Sequence, residues 1–265
     1  MSVITLFQEK IKPFKLRGTG IIHTVENSKV DENLYALKQD DVNLWIYQKN
    51  NTVIAIDAGY KDHKTLYSSL KEFNISNESI KALFLTHADI DHVGGLISKK
   101  RYAPNAKILL HKDEEYMILG KEKRFCVAGF KLKNPVFYQG KYTLLKDQEI
   151  ITIDDIEVQC FHQPGHTRGH SVFLVDHRYL FTGDSIAANE TGGYCFFDFY
   201  NMDTTQNIES LKRLKELLKN NHSIKVCTAH NGIHSVEKAF LHIDQVAKGT
   251  KRKAFDQAAP YDPFK

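Results

Sequence analysis

The stretch Thr86-His87-Ala88-Asp89-Ile90-Asp91-His92 decides how the rest of the chain is read. His87, Asp89, Asp91 and His92 are all residue types that bind metals. They follow Ala82-Leu83-Phe84-Leu85, an apolar run that reads as a short buried strand. They precede Val93-Gly94-Gly95-Leu96, where the chain can turn tightly before a helix. A strand ending in imidazoles and carboxylates crowds groups that repel one another and resist desolvation unless a cation joins them. The expected cation is a divalent metal, and two of them rather than one.

Three later positions share that setting. Pro164-Gly165-His166-Thr167 follows a strand ending at Phe161, and Thr182-Gly183-Asp184-Ser185 follows Tyr179 to Phe181. Thr228-Ala229-His230-Asn231-Gly232 follows Ile224 to Cys227. Each time an apolar strand ends, a small residue follows and one ligand-type side chain is presented. Neighbouring strands lie about 4.8 Å apart, so their ends could gather His87, Asp89, Asp91, His92, His166, Asp184 and His230 into one pocket. One four-coordinate ion uses three or four donors. The larger set suits two ions about 3.5–4 Å apart sharing a carboxylate.

The surrounding pattern is of strands, then a helix, twice over. Gly20 to Val25, Asn33 to Leu37, Asn43 to Tyr47 and Thr52 to Ile56 read as strands, and Asp57-Ala58-Gly59 ends that meander. His63 to Phe73 carries helical spacing. Ile108 to Leu110 reads as a strand and Asp113 to Leu119 as a helix; residues 120–146 read as a lid, a substrate loop or an irregular insert. In the second half, Ile156 to Phe161, Ser171 to Val175, Tyr179 to Thr182 and Ile224 to Thr228 read as strands. Thr205 to Leu218 is an amphipathic helix capped by Asp203 or Thr204, and Val236 to Val246 a final helix. With no linker or repeat, the reading is one domain over residues 1–265, with two sheets face to face and helices outside, an α+β fold.

Composition narrows the partners. Hydrophobic residues make up 42%, charged residues 26%, and the net charge is +4, so an ordinary globular protein fits. The densest basic run, Lys248 to Lys253, reads as a solvated segment, and no nucleic acid is expected. No apolar stretch approaches the ~18 residues of a membrane span. The N-terminus has no secretory pattern, so the expected location is cytoplasmic. Cys126, Cys160, Cys195 and Cys227 form no C-x-x-C pair and read as reduced thiols. The expected partner is a small-molecule substrate; a homodimer is admitted but not specified.

With these motifs in hand, the sequence resembles the metallo-β-lactamase superfamily. That family's H-x-H-x-D-H signature is followed by a distant His, a bridging Asp and a last His. Here the series is His87-x-Asp89-x-Asp91-His92, His166, Asp184 and His230, over about Gly18 to Val246, and Asp57-Ala58-Gly59 matches the early D-x-G turn. The resemblance implies a four-layer αββα sandwich. It implies that His87, Asp89 and His166 hold one metal, that Asp91, His92 and His230 hold the other, and that Asp184 bridges. Zinc is most common in the family. Asp89 stands where most members have His, which shifts preference toward iron or manganese. The flavodiiron branch also carries a carboxylate there.

The implied activity is a binuclear hydrolase in which a metal-bridging hydroxide cleaves a small ester-type substrate, a lactone or thioester. Asp91 would ligate one metal and orient or relay the proton of that water. Alternatives are a phosphodiester or β-lactam hydrolase, a diiron oxygen or nitric-oxide reductase motivated by Asp89, and a binding protein on a decayed site. Asp57 reads as a supporting or turn residue that orients a histidine. His170 reads as a pocket residue or as a hydrogen-bonded group at a strand start. Tyr194, Phe196, Phe197, Phe199 and Tyr200 read as core, or as an aromatic wall for substrate with Tyr194 donating to an oxyanion.

Overall fold

The computed structural model describes residues 20, 21, 23–127 and 130–252, and leaves out the side chains of 125–127 and 130–132. The start of the expected core at Gly18, Ile22 of the first expected strand, the Cys126 thiol, Lys253 and the C-terminal tail lie outside this description.

Two large sheets form the centre. The first has seven strands, in the order Ser28–Lys29, Leu34–Gln39, Val42–Lys49, Thr52–Ile56, Ile80–Leu85, Lys107–His111 and Thr143–Leu145. Pairing is antiparallel up to Thr52–Ile56 and parallel beyond it. The second has six strands, in the order Ile150–Ile153, Ile156–His162, Ser171–Val175, Tyr179–Phe181, Lys225–Cys227 and Ile233–Ser235. A smaller sheet joins Ile186–Asn189, Gly192–Cys195 and His242–Val246.

Side chains alternate across a strand, so a sheet covered on both faces must be apolar on both. That is why Thr52–Ile56 and Ser171–Val175 are buried throughout. Between the sheets, Trp45, Tyr47, Ile56 and Phe84 meet Val158, Phe173, Val175 and Phe181. Outside the first sheet, Leu66 and Leu70 of the helix Leu66–Glu72 pack on Leu83 and Ile108. Outside the second, Leu211, Leu214 and Leu218 of the helix Thr204–Leu218 pack on Val172, Leu174 and Val226. Asp203 caps that helix by accepting from Gln206 N. Helix, sheet, sheet, helix is the four-layer α+β arrangement.

Two expected elements differ. Among the described residues of 20–25 there is no strand, because the Asn43 side chain bonds both N and O of Val25 in place of a neighbouring strand. The expected helix Val236 to Val246 stops at Ala239, and His242–Val246 is a strand beside Gly192–Cys195. Val236, Ala239, Phe240 and Ile243 are all buried, so their helical spacing marks a buried face but not the backbone that presents it.

Candidate metal centre

The strand Ile80–Leu85 runs parallel between Thr52–Ile56 and Lys107–His111 and delivers Thr86 to His92 at its end. There the chain makes one helical turn, Ile90–Val93, with Val93 N bonding Asp89 O. His87 and Asp89 precede the turn, while Asp91 and His92 lie in it. Asp184 follows Tyr179–Phe181 through Gly183, whose φ is +49°. A Cβ there would stand 2.6 Å from Thr86 Oγ1, so glycine lets this strand end approach the first. His230 follows Lys225–Cys227, and Ala229 O accepts from Asn43 N across the two sheets at 2.7 Å.

Each histidine is held through Nδ1. His92 Nδ1 donates to Asp57 Oδ2 at 2.8 Å, and Asp57 also accepts from Thr86 N and the Thr86 hydroxyl. His87 Nδ1 lies 3.0 Å from Thr86 Oγ1, His166 Nδ1 3.2 Å from Asn201 Oδ1, and His230 Nδ1 bonds Asp41 O. Held this way, all four rings turn Nε2 inward, the usual support of metal-binding histidines.

The inward atoms converge. Asp184 Oδ1 lies 3.3 Å from His92 Nε2 and 3.2 Å from His230 Nε2, while its Oδ2 lies 3.6 Å from His166 Nε2. Asp91 Oδ2 is 3.9 Å from His92 Nε2 and 3.8 Å from His230 Nε2. Asp89 Oδ2 is 3.3 Å from His166 Nε2 and 3.6 Å from His87 Nε2. The donor atoms of His87, Asp89 and His166 form one metal-sized group, those of Asp91, His92 and His230 another, and those of His87, His92 and Asp184 a third between them. His92 Nε2, Asp184 Oδ1 and His87 Nε2 are buried with no hydrogen-bond partner among the described residues. Each such atom costs about 1–3 kcal/mol unless something joins it. The donor set fits a divalent cation.

The electrostatics agree. Burial opposes charge on His92, but Asp184, Asp57 and Asp91 push its pKa well above the usual imidazole range. Burial and neighbouring His92 hold His87 neutral, down to about 3. Burial works against ionised Asp184, yet His230 and His92 keep it well below the usual carboxyl range. The field on the Asp91 side draws positive charge.

Two further buried residues carry no local signal in the sequence. Arg124, on the strand Lys123–Val127, is fully buried and engages both oxygens of Asp89. Glu114 accepts from Ala88 N, the Thr167 hydroxyl and Gly169 N, tying the His87 loop to the His166 loop. Burial pushes its pKa up to about 8. His170 lies behind the centre, where its Nε2 accepts from Asp184 N at 3.1 Å. The Tyr194 hydroxyl pairs with Thr191 and its ring lies 4.9 Å from His242. It is Phe196 that stands edge-on to His166 at 5.0 Å and 6.0 Å from His230. In a separate group, His111, Asp113 and His162, His111 Nδ1 accepts from Asp113 N and His162 Nε2 donates to Arg168 O.

The family description "Metallo-beta-lactamase superfamily" matches residues 37–230 of this chain. The chain belongs to the metallo-beta-lactamase superfamily. It is a metal-dependent hydrolase of that superfamily, and among the described residues no helix is long and apolar enough to cross a membrane. It is 24% identical over 240 residues to a probable hydroxyacylglutathione hydrolase of Encephalitozoon cuniculi, covering 87% of this chain and 82% of that protein. It is 26% identical over 202 residues to a hydroxyacylglutathione hydrolase of Haemophilus influenzae, covering 76% and 89%. An archaeal superfamily protein from Sulfolobus tokodaii shares the fold with TM-score 0.53 at 21% identity, over 79% of this chain and 84% of that one.

Proposed function

We propose that the chain hydrolyses a small acyl thioester, with a lactone as second candidate. The observation that carries this is the convergence of His92 Nε2 and Asp184 Oδ1, buried and unpartnered among the described residues, with Asp91 and His230 beside them. The hydroxyacylglutathione hydrolase relatives support the thioester class, since a hydroxyacylglutathione is an acyl thioester.

When bound there, a divalent cation lowers the pKa of a water and polarises a carbonyl. Asp91 is the most exposed of the carboxylates, its side chain 12% accessible against 9% for Asp89 and 6% for Asp184. It therefore faces the substrate side, where its carboxylate can take the proton of the attacking water and pass it to the leaving thiolate. Asp57 fixes the His92 ring, and His170 fixes the Asp184 backbone. Phe196 closes one side of the centre and excludes water there. Three donors lie on each side of Asp184, enough for a binuclear arrangement were both sides open to metal. The ions to test are zinc, iron and manganese.

Elemental analysis of protein purified without added metal, beside a panel of thioesters, lactones, β-lactams and phosphodiesters, tests this reading. Chelator-sensitive thioester hydrolysis is expected. Turnover of phosphodiesters alone, or oxygen consumption with an electron donor and no hydrolysis, would contradict it.

A further inference from the structure

The two donor groups differ in one respect: Arg124 engages Asp89 and His166 of the first. Its Nε and Nη2 engage Asp89 at 2.7–3.1 Å, and Nη1 donates to Tyr200 O at 2.7 Å. Nη2 also lies 3.1 Å from His166 Nε2. The state of that ring follows from its neighbours. The Asn201 amide nitrogen donates to Phe196 O, so Oδ1 faces His166 and the His166 proton sits on Nδ1. Nε2 then offers a single lone pair, and an Arg124 N–H takes it. One lone pair cannot serve a guanidinium and a metal ion together.

We propose that Arg124 is a built-in cation at the first position, so that the protein holds a single divalent ion, on Asp91, His92, Asp184 and His230. This rests on the hydrolase reading above and gives its metal content. It also accounts for Asp89. A carboxylate matches a guanidinium with two parallel hydrogen bonds, which an imidazole cannot do. The departure from the family's usual histidine follows from this pairing rather than from a preference for iron or manganese, because Arg124 neutralises the added charge. The remaining position is bounded by His92 Nε2 and Asp184 Oδ1, which have no hydrogen-bond partner among the described residues.

Chelator-stripped protein titrated with Mn2+, with bound metal counted by elemental analysis and the loaded protein examined by EPR, tests the proposal. Wild type is expected to bind one equivalent with the spectrum of an isolated ion. Arg124→Met, which keeps length without charge, is expected to bind two equivalents with an exchange-coupled spectrum, as His87, Asp89 and His166 are released. If that variant does not fold, His87→Ala answers the same question: one equivalent is kept under this proposal, and two fall to one under a binuclear scheme. Wild type binding two coupled ions, or Arg124→Met still binding one, overturns the proposal and leaves the hydrolase reading standing. Wild type binding no metal overturns both.

Discussion

The two sides of Asp184 carry the same kinds of donor, and only one of them meets a cation from the chain itself. On one side, Arg124 engages Asp89 and His166 and leaves His87 Nε2 as the donor without a hydrogen-bond partner among the described residues. On the other, His92 Nε2 and Asp184 Oδ1 are buried without a partner among the described residues. Similar ligand spacing in a sequence therefore does not mean equivalent sites. What decides is whether another part of the chain already supplies the positive charge.

The largest expected contrast is in turnover. Metal-ion catalysis contributes several kcal/mol, so Asp184→Ala or Asp91→Asn is expected to lower kcat by about 10³-fold or more. Steady-state kinetics with bound metal measured in parallel would show this; wild-type rates at unchanged metal content would break the assignment. The next contrast is in stability. Arg124→Ala leaves Asp89 buried without its partner, a loss of about 3–5 kcal/mol in metal-free protein. Urea unfolding would measure it, and added Mn2+ should recover more stability in this variant than in wild type, because binding to the folded state alone stabilises it.

A sharper comparison uses the supports of the two sides. Asp57→Ala removes the group that orients His92 and is expected to weaken metal binding about 10–100-fold. Asn201→Ala removes the corresponding support of His166 and should leave binding of the one ion nearly unchanged. Calorimetric titration of both variants would show equal losses if the two sides were equivalent.

The smallest effect concerns the stacked pair His111 and His162, centroids 3.9 Å apart. Burial, then the nearby His162, lowers the His111 pKa from 6.5 to about 4, and burial lowers that of His162 as well. A histidine held neutral in the folded state takes up its proton more readily when unfolded. Its contribution is whole above pH 6.5 and lost as pH falls toward about 4. The urea midpoint should drop across that window, and His111→Gln should flatten the drop. A midpoint independent of pH in both proteins would contradict it.

Much of the fold could be read in the sequence because strand ends carry local signals. Apolar runs such as Ala82 to Leu85 and Ser171 to Val175, each next to a glycine- or ligand-bearing turn, announce both the strand and what it presents. Arg124 was hidden for a physical reason. In Lys121-Glu122-Lys123-Arg124 it looks like any solvated basic residue, and only tertiary packing buries it against Asp89. Glu114 was hidden likewise, since its three partners come from loops distant in sequence. The strand His242–Val246 is not legible in the sequence because its partner, Gly192–Cys195, is poor in the branched side chains that mark strands.

The most direct check on the metal centre is an anomalous difference map from crystals grown with manganese. A peak within bonding distance of Nε2 of His92 and His230 and of the Asp184 carboxylate is expected, with Arg124 still seated on Asp89. A map with no peak there, or with these side chains turned apart, would contradict the account.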